Sequence, residues 1–201
     1  MRIGLIGPAA KADEEALREA AEFLLLDAHA DPVIYLGDDD AAERLCLDWE
    51  LELRAELPDG DFLTGALALA LEGAPPEIER LLERDRQRER LSRLRTLPPP
   101  PARAVEMVGD RIVLVVYDKK VLDEDDIANA SIIVYGRSEE ELLKRFGPRA
   151  FFTPGPLSRG VVGVLEVEDD GRVALATFST EGEPRGREVL HGGASKLTVS
   201  R

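Results

Sequence analysis

The sequence contains one cysteine, Cys46, in 201 residues. A single thiol excludes an intrachain disulfide and any zinc site built on cysteines. Histidine is nearly as scarce, with only His29 and His191. No apolar run approaches the roughly 18 residues of a membrane span. The N-terminal apolar stretch, Ile3 to Gly7, lacks the length and the basic flank of a secretory signal, so a cytoplasmic protein is expected. Basic charge is short as well: 26 Lys and Arg against 40 Asp and Glu give a net charge of -14. Nonspecific nucleic-acid binding and attachment to anionic membranes both need a basic footprint, so neither is expected.

What is present is a globular composition, 44% hydrophobic and 33% charged, long enough for one well-buried core over residues 1–201. "RIGLI" predicts a short buried strand. "DEEALREAAEFLLLDAHA" follows with helical spacing at Leu17, Ala20, Ala21, Leu24, Leu25 and Ala28, capped by Asp13. "PVIYLG" is a second buried strand that runs into Asp38, Asp39 and Asp40. This β-α-β order predicts a parallel start to the sheet. Residues 41 to 57 fit a helix. "FLTGALALALEG", apolar on every side, and "PPEIERLLERDRQRERLSRLRTLPPPP", a long charged helix framed by prolines, then make residues 58–101 a helical, insertion-like segment. Beyond it, "DRIVLVVYD", "SIIVYG" and "RAFFTPG" are strands. "VVGVLEVEDDGRVALATFS" is a hairpin turning at Asp170 and Gly171, and a final short strand is expected in "KLTVS". Between the strands, Ser138 with Glu141 three residues on, then Leu142, Leu143 and a Gly147–Pro148 stop, has the form of a capped helix.

In this order the fragments "MRIGLIG", "VIYLGD", "LRTLPP", "GDRIVLVVYD", "ASIIVYG" and "FFTPGPLSRG" resemble the calcineurin-like metallophosphoesterase superfamily, in particular its small prokaryotic phosphodiesterases. The resemblance covers most of the chain. It implies an α/β fold of four layers, two packed sheets flanked by helices. It also implies a two-metal centre in which Asp, Asn and His at successive strand ends hold cations that activate water and polarise a phosphate.

Most of those ligands are missing. The D-x-H after the first strand is Pro8 and Ala10 here, the histidine of the "lvHG" strand falls at Val116 or Tyr117, and G-H-x-H becomes Gly136, Arg137, Ser138 and Glu139. Gly37 and Asp38 keep the G-D motif, but no G-N-H follows; the nearest segment holds Asp59 and Asp61. Two histidines, neither at a motif position, do not furnish the usual dinuclear centre. Pro8, Ala10, Asp38, Tyr117 and Arg137 then mark a vestigial pocket, with no catalytic residue, no cofactor, and Asp38 with Asp39 and Asp40 as the one metal candidate. The expected role is a noncatalytic pseudoenzyme, a scaffold or regulatory interaction module, for which a retromer subunit of this fold is a precedent.

Two alternatives stay open: a phosphodiesterase or phosphatase rebuilt on Asp38, Asp59 or Asp61, and a nucleotide or phosphate binder using Arg137 and the helix start after it. A dinucleotide loop at Gly7, Ala9 and Ala12 is disfavoured, because a Cβ at position 9 would crowd a pyrophosphate. The partner expected is another protein or a second copy of the chain, as a homodimer. Arg80, Arg84 and Arg88, spaced four apart on the charged helix, are the candidate docking residues, against the plainer reading of a solvated face.

Overall fold

The computed structural model describes residues 1–10, 14–55 and 62–190. Asp13, Asp59, Asp61, His191 and the expected strand in residues 196–200 lie outside them. Strand β1 (Arg2–Ile6) is followed by helix α1 (Glu14–Glu22), whose last turns widen into a π-helical segment, Phe23–Asp27, and by β2 (Val33–Tyr35). The two strands pair in parallel, Gly4 beside Val33 and Ile6 beside Tyr35, as the β-α-β order requires.

Period-two alternation then sorts the side chains into layers. Ile3 and Leu5 of β1, with Ile34 and Leu36, face a central core. Ile6, Val33 and Tyr35 face the other way, into a core shared with Leu17, Leu24, Leu45 and Trp49. Helix α2 (Ala41–Ala55) supplies the last two of these, so its apolar stripe at positions 42, 45, 49 and 53 is buried as helical spacing predicts. Each such aliphatic side chain, fully buried, contributes about 1.5–3 kcal/mol relative to exposure.

Helices α3 (Phe62–Glu72) and α4 (Pro75–Leu91) form a hairpin. Two prolines open α4, and the Glu77 carboxylate accepts the Ala74 N–H at 2.9 Å, which fixes the helix start. The charged helix is shorter than its pattern predicts. It ends at Leu91, and Leu94–Thr96 forms strand β3, parallel to β2. Leu94 packs into the helix-side core, and this burial overrides the helical propensity of the arginine-rich run.

The remaining strands are β4 (Ala104–Val108), β5 (Arg111–Val116), β6 (Ile132–Tyr135), β7 (Leu142–Phe146), β8 (Arg149–Thr153), β9 (Val161–Val167), β10 (Val173–Ser179) and β11 (Pro184–Leu190), with a short helix α5 (Glu124–Asn129) before β6. One sheet has the order β11-β10-β9-β1-β2-β3 and the other β4-β5-β6-β8-β7. Val113, Val115, Ile132, Val134 and Phe152 of the second sheet meet Ile3, Leu5 and Leu165 of the first. On its outer side Leu114 and Ile133 pack with Ile127 of α5. The layers are thus helices, sheet, sheet and α5, the two-sheet α/β architecture expected. Among the described residues no helix is long and apolar enough to cross a membrane.

The segment after Gly136 differs from its prediction. Leu142–Phe146 is a strand, antiparallel to β8, and Gly147 with Pro148 is a hairpin turn in which Gly147 takes φ 61°. Ser138 caps no helix; its hydroxyl donates to the Glu140 carbonyl at 2.7 Å. The open edge of β8 offered this segment five paired residues, and Leu143 packs against the central core.

Candidate functional site

Backbone contacts bring the ends of four strands, two from each sheet, to one place. The Leu36 N–H donates to the Ile6 carbonyl at 2.8 Å, and the Arg137 N–H donates to the Tyr117 carbonyl at 2.7 Å. Glycine permits the sheets to meet there. A Cβ on Gly136 would run into the Leu36 carbonyl, and one on Gly7 into the carbonyl of Gly155.

Side chains then occupy the junction. Tyr35, fully buried, lies under Gly37; its hydroxyl accepts the Ala9 N–H at 2.9 Å and donates to Asp39 Oδ1 at 2.9 Å. Burial, and then the Asp39 carboxylate, push this phenol well above its ordinary pKa. Asp39 also accepts the Ala41 N–H at 3.1 Å, and Asp40 pairs with Arg44 at 2.9 Å. Two of the three aspartates therefore serve the start of α2. The third, Asp38, lies near Tyr117, whose phenol is raised by burial first and by the Asp38 charge second.

Arg137 points to the neighbouring loop, where its Nη1 meets Asp118 Oδ2 at 2.8 Å. The Lys120 N–H, at 3.0 Å, and then this guanidinium hold the Asp118 carboxylate below its usual range. Since β7 replaces the expected helix, Arg137 has no helix N-terminus behind it with which to bind an anion. The Pro8 carbonyl accepts the Leu157 N–H at 2.9 Å, tying its loop to the segment after β8. Pro8 and Ala10 bring no donor side chain.

A cleft of about 310 Å³ opens beside this junction, between Asp38, Asp39, Asp40 and Glu43 on one wall and Pro98–Pro100 on another, with Tyr117 at its edge. The prolines, which sequence suggests are only a boundary, are thus part of the site, as is Tyr35. A hydroxyl-bearing aromatic closing the apolar run "VIY" was the only signal for Tyr35. The described residues do not supply the donors of the two-metal centre that the resemblance implies. Among the described residues no three His, Cys, Asp or Glu side chains are grouped to hold a metal ion. An ion-paired arginine stands at the G-H-x-H position.

Arg80 and Arg84 lie elsewhere, lining a groove of about 510 Å³ between α4 and the pair α1–α2. Across it, Arg18 stacks over Trp49 at 5.1 Å and bonds both Glu22 and Glu52. Arg88 stands 4.0 Å from Asp85 on its own helix. The three arginines are therefore not one open basic face.

No family model and no curated protein sequence matches the chain. Solved structures do. Vacuolar protein sorting 29 from Cryptosporidium parvum aligns over 95% of this chain and 98% of its own, with TM-score 0.54 at 12% identity. A conserved uncharacterized protein of Streptococcus pneumoniae, a predicted phosphoesterase, aligns over 94% and 97%, with TM-score 0.50 at 13% identity. A single mutant of the sorting protein from Entamoeba histolytica gives 0.50 over 95% and 100% at 13% identity. With two packed sheets of six and five strands, flanking helices and these likenesses over nearly the whole chain, the protein has the calcineurin-like metallophosphoesterase fold.

Proposed function

We propose that the chain is a noncatalytic pseudo-phosphoesterase that works as a protein scaffold or regulatory interaction module. The observation that carries this reading is the furnishing of the strand-end junction: Pro8 and Ala10 without donor side chains, Arg137 held by Asp118, and Asp38 with the Tyr117 phenol near it. A dinuclear hydrolase needs several anionic or imidazole ligands converging on two cations. Here the arginine at one of those positions is instead satisfied by the Asp118 carboxylate. The same fold in a vacuolar protein sorting protein and in a predicted phosphoesterase is consistent with either use of the scaffold.

Metal analysis of the purified protein, with a phosphodiesterase assay under added manganese, tests this reading. The expected result is less than one tightly held ion per chain and no turnover above an Asp38→Asn control. About two ions per chain, or turnover lost in that control, would instead establish a site rebuilt on the acidic cleft.

A further inference from the structure

Helix α3 is "FLTGALALALE", without a charged residue before Glu72. It packs on α4, and its less exposed residues are Phe62, Gly65, Ala66 and Leu69. The opposite side carries Leu63, Leu67 and Leu71, which are 74%, 64% and 76% exposed. Steps of four residues align these leucines as one stripe. Scattered exposed leucines need no explanation, but an ordered row on an uncharged helix marks a contact surface.

Two features identify the occupant as a second copy of this chain. The first is shape. Thr64 and Ala68 lie exposed between the leucines, so leucine ridges alternate with small-residue grooves, a relief that an identical helix lying antiparallel can fill. The second is charge. Each copy carries -14, so two copies repel one another over most of their surfaces. The α3–α4 hairpin is the exception. Its first helix is uncharged up to Glu72, and α4 balances its charge, with five arginines against five acids. An acidic copy approaching this hairpin therefore meets little net charge, and two like-charged chains repel one another little here.

We propose that the Leu63–Leu67–Leu71 stripe is the two-fold interface of a homodimer, in which α3 of one copy packs antiparallel on α3 of the other. Such a contact is isologous: Leu67, at the centre, meets its own equivalent, Leu63 of each copy meets Leu71 of the other, and the assembly closes at two. The interface does not involve the strand-end cleft, and the dimer forms whether or not that cleft is catalytic.

Sedimentation equilibrium of the full chain tests the proposal. The expected mass is twice 22.1 kDa for wild type, falling to 22.1 kDa for Leu63→Gln/Leu67→Gln/Leu71→Gln, with the circular-dichroism spectrum unchanged. Should the triple variant misfold, Leu67→Gln alone is expected to raise the dimer dissociation constant at least tenfold. Leu67→Cys in a Cys46→Ser background, at the centre of the stripe, is expected to give a disulfide-linked dimer on mild oxidation. A wild type that stays at 22.1 kDa at high concentration overturns the proposal, and so does a dimer that persists in both glutamine variants. Monomeric wild type that floats with phosphatidylcholine vesicles, lost in the glutamine variants, would give the stripe to a lipid surface and likewise overturn the dimer. None of these outcomes bears on metal content, so the two proposals fail separately.

Discussion

Tyr35 donates its hydroxyl to Asp39 at 2.9 Å while accepting the Ala9 N–H at the same distance. One phenol thereby ties the loop after β1 to the loop after β2. Tyr35→Phe keeps the ring and removes the tie, leaving the Ala9 amide without this partner. A loss of about 1–3 kcal/mol is expected, the cost of an unsatisfied, partly buried polar group. It should appear as a lower urea midpoint with an unchanged slope. An unchanged midpoint would show that the tie adds nothing.

The same phenol makes an alkaline prediction. Its pKa is raised in the folded protein by burial and by Asp39. The protonated form is therefore favoured by folding, and the resulting stability is intact below the unfolded tyrosine value of about 10. Above that pH the unfolded phenol ionises first, and stability falls as pH climbs toward the folded pKa. Urea midpoints between about pH 9 and pH 11 should decline more steeply in wild type than in Tyr35→Phe. Tyr117 and Tyr135, also raised, leave some decline in the variant. Equal slopes in the two proteins would mean that Tyr35 is not the group responsible.

The strands legible in the sequence, such as "RIGLI", "VIY", "RIVLVV", "IIVY" and the hairpin of β9 and β10, are apolar enough to be buried wherever they pair. The strands that were not legible owe their conformation to a neighbour. Leu142–Phe146 carries a helical charge pattern, yet Phe146 meets Phe151 edge-on across the hairpin at 5.5 Å, a contact no local pattern contains. Pro184–Leu190 is polar because it is an edge strand, and its Arg187 finds Glu166 and Glu168 across the sheet. Ala104–Val108 is set by the turn at Gly109, with φ 63°. At the site, the aspartates and Arg137 were visible as residues, but their partners were not. Asp118 reaches Arg137 because β5 and β6 end side by side, and Tyr117 comes near Asp38 because the two sheets meet where Gly136 lies against Leu36.

Ser138 provides a direct check on that lesson. As the N-cap of a helix it would be worth about 0.5–2 kcal/mol. In a loop before a strand it makes one exposed hydrogen bond, to the Glu140 carbonyl. Ser138→Ala is therefore expected to change stability by less than about 0.5 kcal/mol, as surface substitutions usually do. A denaturant midpoint lowered by an amount typical of a lost cap would restore the helix.

The arginines of α4 separate by position. Arg80 and Arg84 line the groove whose far wall holds Glu22 and Glu52, whereas Arg86 lies outside that lining and pairs with Glu83 on its own helix at 3.4 Å. Charge reversal at Arg80 and Arg84 would set two new carboxylates opposite acids that Arg18 already has to neutralise. Arg86→Glu would lose only an exposed pair of the kind worth about 0–1 kcal/mol. The double variant Arg80→Glu/Arg84→Glu should therefore melt lower than Arg86→Glu. The gap should shrink in about 1 M salt, where the screening length falls to about 3 Å. Melting temperatures of the two variants at low and high salt decide the matter. Equal melting at low salt would mean that α4 turns all of these arginines outward, and only then would the stripe be the open, solvated face that its spacing alone suggests.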